Sequence, residues 1–144
     1  MSKKFICRDY ESQYDDRDMI AEKIYKIKNI PSAIDYRPSL PPVRNQEQQG
    51  SCSSQVGAAI KEFQESKERN FKGHMSPQFL HNHRPFPKTR SGTSPRSTMR
   101  NLLYNGVCTE EEYPYGKIEK QTKIKKSIRN SALRNKIKNY AKII

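Results

Sequence analysis

Apolar and polar positions separate most cleanly between Ser51 and Arg69. There Val56, Ala59, Ile60 and Phe63 recur at helical spacing, and Lys61, Glu62, Gln64, Glu65 and Lys67 fill the other face. The period predicts an amphipathic helix with its apolar stripe toward a core. Ser76 followed by Pro77 predicts a second helix, capped by the serine hydroxyl, with proline at its favoured first position and an end before Pro85. Ser94 and Pro95 repeat the signal for a third helix. Its inward residues are Met99, Leu102 and Leu103, and Gly106 stops it. Arg84 to Thr93, with Pro85, Pro87 and Gly92, is a loop. Ahead of the first helix, Pro31, Pro38, Pro41 and Pro42 keep the chain extended. Residues 1–30 are polar and charged, and Ile20, Ile24 and Ile27 are too sparse for a core helix, so this stretch is expected to drape over the surface.

The main helix matters chemically because Cys52 falls in its first turn. Unpaired N–H groups and the positive end of the helix dipole gather there, and both favour thiolate over thiol. A thiolate is the nucleophile that acyl transfer needs. Gln46, six residues earlier, has a side-chain amide that can donate to a developing oxyanion beside the Cys52 N–H, and Gly50 allows a close backbone approach just before the helix. Cys52 is therefore the candidate nucleophile and Gln46 the candidate oxyanion donor.

The run Asn45-Gln46-Glu47-Gln48-Gln49-Gly50-Ser51-Cys52 resembles the papain family of cysteine peptidases, and further landmarks follow in the family's order. Pro31 to Arg37 resembles the start of the mature domain, and Pro42 to Gln46 the segment carrying the oxyanion glutamine. Met75-Ser76-Pro77-Gln78-Phe79-Leu80 resembles the second helix. Gly106-Val107-Cys108, Glu110 and Tyr113-Pro114-Tyr115 resemble the Gly-Val, Glu, Tyr-Pro-Tyr run. The resemblance implies an α+β fold in which a mainly helical left domain carries the Cys and a β-rich right domain carries a His and an Asn. It implies a peptide or protein substrate and no cofactor or metal. It also suggests that the Gly92 backbone, like Gly50, lines the substrate cleft, where a bound peptide pairs as an added strand.

Two departures qualify it. The family's local signature is Cys-Gly-Ser/Ala-Cys-Trp/Tyr. Here Gln49 replaces a Cys that is normally disulfide-bonded and Ser53 replaces the aromatic residue, which marks a disulfide-poor branch of the kind found in microbes and large DNA viruses. The general-base His and its Asn are expected about 130 to 150 residues beyond the Cys, whereas the sequence ends at Ile144. His74, His81 and His83 lie just before or within the second helix, the wrong domain for the base. The expectation is a polar extension over 1–30, a left domain over 31–116, and a basic segment over 117–144 entering the first right-domain strand. That right domain is otherwise missing, and such a chain turns over negligibly alone. A non-catalytic peptide- or partner-binding pseudo-peptidase, complemented by a right-domain chain or an oligomer, is the second reading.

Composition bears on partners and compartment. With 33% hydrophobic residues, 30% charged residues and no Trp, the core is thin, and a half-fold leaves apolar surface exposed. The net charge of +13 raises nucleic acid as a third reading. From Lys117 to Ile144 there are ten Lys or Arg against Glu119 alone, yet only Tyr140 lies within that run, so it lacks the interleaved aromatics of a stacking surface and reads better as a solvated face. Cys7, Cys52 and Cys108 form no pairing framework, which suggests a reducing compartment. Cys108 reads as a small buried hydrophobe, Cys7 receives no role, and His81 and His83 lack the further ligands of a metal site. No apolar core of a secretion signal and no membrane span is visible, and an intracellular or virion-packaged protein is expected.

Overall fold

A computed structural model describes residues 9–26, 28–85 and 92–143. Cys7, Ile27 and most of the loop before Gly92 lie outside the described residues. Five helices are present among those described: α1 (Ala21–Ile24), α2 (Cys52–Arg69), α3 (Pro77–Asn82), α4 (Pro95–Tyr104) and α5 (Lys126–Ala132). Among the described residues, extended pairing is limited to single bridges, parallel between Asp9 and Thr93 and between Ile20 and Lys142, and antiparallel between Met75 and Thr109. No described helix is long and apolar enough to cross a membrane.

Helix ends follow local chemistry. Ser76 Oγ accepts from Phe79 N and Ser94 Oγ from Ser97 N, and each is followed by proline at the first helical position. Asn70 takes a left-handed conformation to end α2. Gly106 does so after α4 at φ +69°, where a Cβ would stand 2.0 Å from the Ala132 carbonyl oxygen. The core gathers Ala58, Met75, Phe79, Leu80, Leu102, Val107, Cys108, Tyr113, Ile124, Ala132 and Ile137, with Met99 and Leu103 packed against it.

Helix α2 corrects the expected orientation. Its buried face is Ser53, Ser54, Gly57, Ala58, Lys61, Glu62 and Glu65, whereas Val56 is 57% and Ile60 39% exposed. The small residues let α3 and α4 approach closely. The buried charges are tolerated because each finds partners. Lys61 Nζ stands 2.7 Å from Glu65 Oε1 and donates to the Lys136 carbonyl. Glu62 Oε1 accepts from Arg44 Nη2 at 2.7 Å and from Met75 N at 2.8 Å. Val56 and Ile60 are left outside, and farther along the stripe Tyr36 meets Phe63 edge-on, with ring centroids 5.2 Å apart.

The N-terminal stretch packs on the α4 side. Arg96 holds Asp18 and the Gln13 carbonyl, and Ala21 N donates to the Lys142 carbonyl. In the basic segment, 3₁₀ turns flank α5 at Gln121–Lys123 and Leu133–Asn135.

Candidate active site

Cys52 is the first residue of α2, half-buried and in no disulfide. Because Val56 and Ile60 follow it at intervals of four residues, the Cys heads the outward apolar stripe. The segment leading to it is fixed at two levels. Farther back, Arg44 forks onto Glu62 and onto Glu110 at 2.6 Å and reaches the Met75 carbonyl at 3.3 Å, so residues 42–46 are tied to the middle of α2 and to the chain after α4. Nearer the Cys, residues 46–49 form a turn in which Gln49 N donates to the Gln46 carbonyl and Glu47 takes φ +54°. Asn45 Oδ1 supports that conformation by accepting from Glu47 N at 2.8 Å. A left-handed non-glycine residue carries strain and persists where its surroundings hold it.

Gln46 is half-buried, and its Nε2 donates to the Gln49 carbonyl at 2.9 Å. An amide nitrogen carries two hydrogens, so this group can donate in two directions. Tyr115 joins the turn to the helix: its hydroxyl donates to the Gln46 carbonyl at 2.7 Å and lies 2.6 Å from Ser51 Oγ. Burial pushes the Tyr115 phenol above its ordinary range, opposed by hydrogen bonds from Ser51 and Gln55. Gly50 and Ser51 are buried at the join.

Gln49, the residue standing in the Cys position of the signature, is held without a covalent bond. Its Nε2 donates at 2.8 Å to Gln78 Oε1, which also accepts from Gly116 N at 2.9 Å. Gln78 Nε2 then donates to Asn82, and Asn82 Nδ2 to Tyr113. Hydrogen bonds thus fasten the loop before Cys52 to α3 and to the Tyr113–Gly116 turn. The sequence flagged Tyr113-Pro114-Tyr115 as a landmark but gave its side chains no task, because their partners lie far away in the chain.

Gly92 is buried, and its neighbour Thr93 pairs with the N-terminal stretch: Tyr10 N donates to the Thr93 carbonyl at 3.2 Å. Asp9 spans the gap to the helix, since its carboxylate accepts from Ser53 Oγ. Gly92 and the start of α2 are therefore linked through Asp9, a residue without any sequence signal for this place.

The remaining candidates lie elsewhere. Burial pushes the Cys108 thiol up to about 12, which keeps it protonated and unreactive at neutral pH. His81 in α3 and His83 at its C-terminal cap are buried, and desolvation lowers both, His81 to about 4. His83 Nδ1 meets the Phe79 carbonyl at 2.7 Å. No group of three or more metal-ligating side chains forms among the described residues.

Comparisons with known proteins agree on one family. The family model described as papain family cysteine protease matches residues 30–144. Among solved structures, xylellain, a cysteine protease from Xylella fastidiosa, superposes with a TM-score of 0.79 at 21% identity, covering 96% of this chain and 58% of that one. The proform of the ragweed pollen allergen Amb a 11, also a cysteine protease, gives 0.61 at 23% identity, over 74% of this chain and 35% of that one. The Carica candamarcensis cysteine protease CMS1MS2, solved with E-64, gives 0.56 at 26% identity, over 65% and 45% of the two chains. The chain thus spans less than two thirds of each of these structures. A search of the curated proteins gives no match. These likenesses give a papain-like fold, and the helical character of the described residues corresponds to its left domain.

Proposed function

We propose that this chain, which belongs to the papain family of cysteine proteases, carries the nucleophilic half of a peptidase site acting on peptide or protein substrates. Cys52 is the nucleophile and Gln46 the oxyanion donor. The observation that carries the reading is the placement of Cys52 at the head of an 18-residue helix, beside a Gln46 turn fastened to that helix by Tyr115.

Attack of the Cys52 thiolate on a peptide carbonyl forms an S–C bond and moves the π electrons onto oxygen. The Gln46 side-chain amide and the Cys52 N–H are the donors for that oxyanion. The tetrahedral intermediate collapses to a thioester once the leaving amine receives a proton, and water then hydrolyses the thioester. The histidines present are engaged elsewhere: His81 is buried in α3, His83 is buried just after it, and His74 Nδ1 lies 3.7 Å from Glu62. In this reading the acid is a histidine of a β-rich right half, as the family resemblance implies. The uncovered stripe below Cys52, Val56 and Ile60, is the surface against which such a right half would close.

Gly92 is the proposed backbone edge for an extended substrate. Since the adjoining Thr93 carbonyl already accepts from Tyr10, a peptide has to displace residues 9–10 or pair alongside them.

The test is site-resolved labelling at neutral pH with iodoacetamide and with a peptidyl epoxide. Cys52 should react with both, and Cys108 with neither while the protein is folded. Labelling of Cys108 as fast as Cys52 would sink the assignment.

A further inference from the structure

Ser occupies the position before three helices of this chain, and its hydroxyl behaves differently at one of them. Ser76 and Ser94 accept hydrogen bonds from their own helices, from Phe79 N at 3.0 Å and Ser97 N at 3.3 Å. Ser51 stands at the same position of α2, and its carbonyl takes the first helical bond, from Gln55 N at 2.9 Å, but its side chain makes no cap. Serine in this position ordinarily accepts from the second or third helical N–H.

The reason lies in Tyr115. A phenol has one hydrogen, and a carbonyl only accepts. The Tyr115 hydrogen therefore goes to the Gln46 carbonyl at 2.7 Å, and the 2.6 Å contact with Ser51 must carry the Ser51 hydrogen toward the phenol oxygen. The Ser51 backbone is held to match, at ψ 20° instead of the extended 104° and 155° of Ser76 and Ser94. Ser51 is fully buried, so no water competes for its hydroxyl.

We propose that Tyr115 is a positioning residue for the nucleophile: it draws the Ser51 hydroxyl away from the first turn of α2 and thereby reserves that turn's N–H groups for the negative charge that develops at Cys52. The inference rests on Cys52 being the activated thiol proposed above. The side chain that blocks the cap is the one that anchors Gln46, so nucleophile and oxyanion donor share one control point. The ionisable groups facing this region are Asp9 on Ser53, Glu47 and Glu110 toward Tyr115, and Tyr115 itself. The carboxylates are unchanged in the comparisons below and cancel from them.

The experiment measures the rate of iodoacetamide alkylation of Cys52 against pH, resolved from Cys7 and Cys108 by peptide mapping. The midpoint of the profile is the readout, because plateau rates also shift with the intrinsic nucleophilicity of the thiolate. In Tyr115→Phe the hydroxyl is lost, Ser51 turns to cap α2, and the midpoint rises by about half a unit to one unit, the range expected for charge at a helix terminus. Alkylation well below the midpoint slows by about three- to tenfold. Adding Ser51→Ala removes the competing cap and returns the midpoint to its wild-type value. Loss of packing alone would lower the melting temperature without this rise and return.

A folded Tyr115→Phe protein with the wild-type midpoint overturns the inference, as does a double variant that stays at the Tyr115→Phe value. Ser51→Ala alone covers the case in which Tyr115→Phe does not fold: its midpoint should match wild type, and a changed midpoint overturns the inference. Failure of the parent reading looks different, because the wild-type midpoint itself would then sit at the ordinary value of about 8.5, and the inference falls with it.

Discussion

Replacing Arg44 by Met tests whether the buried charges of α2 hold the Gln46 segment in place. The guanidinium joins Glu62 at 2.7 Å and Glu110 at 2.6 Å, with the Met75 carbonyl at 3.3 Å. Once it is gone, Glu62, 2% exposed, is left among the described residues with Met75 N at 2.8 Å and the distant His74 ring at 3.7 Å. Stranding a buried charge costs about 3–5 kcal/mol. The side chains of Arg44 and Glu110 are 21% and 27% exposed, so solvent screening reduces the expected loss to about 2–3 kcal/mol. For a domain of this size that corresponds to a melting temperature lower by roughly 7–10 °C. Urea unfolding should show a lower midpoint at unchanged slope. Adding Glu62→Gln, which keeps an acceptor for Met75 N but removes the charge, should recover about half of the loss. Arg37→Met is the control: it breaks an equally short 2.7 Å pair at the surface and should leave the midpoint where it was. A loss below about 1 kcal/mol for Arg44→Met, or a double variant no more stable than the single one, would refute the reasoning.

Two further outcomes follow. His81 stays neutral in the fold down to about pH 4, against an ordinary value of 6.5, because burial opposes its charge and Arg84 adds repulsion. Between those values the unfolded chain binds the extra proton, so stability falls as pH drops through the window, by about 3 kcal/mol in full; His81→Leu should remove that component from the pH dependence of urea midpoints, and equal slopes in the two proteins would refute it. Gly106→Ala places a Cβ 2.0 Å from the Ala132 carbonyl at a positive φ, so it should lower the melting temperature by more than about 10 °C or prevent folding, and a loss of only a few degrees would show that the α4–α5 contact yields easily.

Local chemistry wrote much of this molecule into its sequence. Ser76-Pro77, Ser94-Pro95 and Gly106 set helix limits through groups only one to five residues away, which is why those limits are legible without a fold. The place of Cys52 at the head of α2, and the papain-family landmarks around it, are legible for the same reason. Which face of α2 is buried was not. The apolar period pointed Val56 and Ile60 inward, but Arg44, Lys136 and Met75, brought in from as far as 75 residues away, supply partners that let Lys61 and Glu62 take the inside, and Lys61 in turn pairs with Glu65. Tertiary structure alone decided that Tyr115 ties Ser51 to Gln46, that Gln49 finds Gln78, and that Asp9 reaches Ser53. Helix starts depend on neighbours in the chain, whereas the satisfaction of a buried polar group depends on neighbours in space, and only the folded chain chooses those.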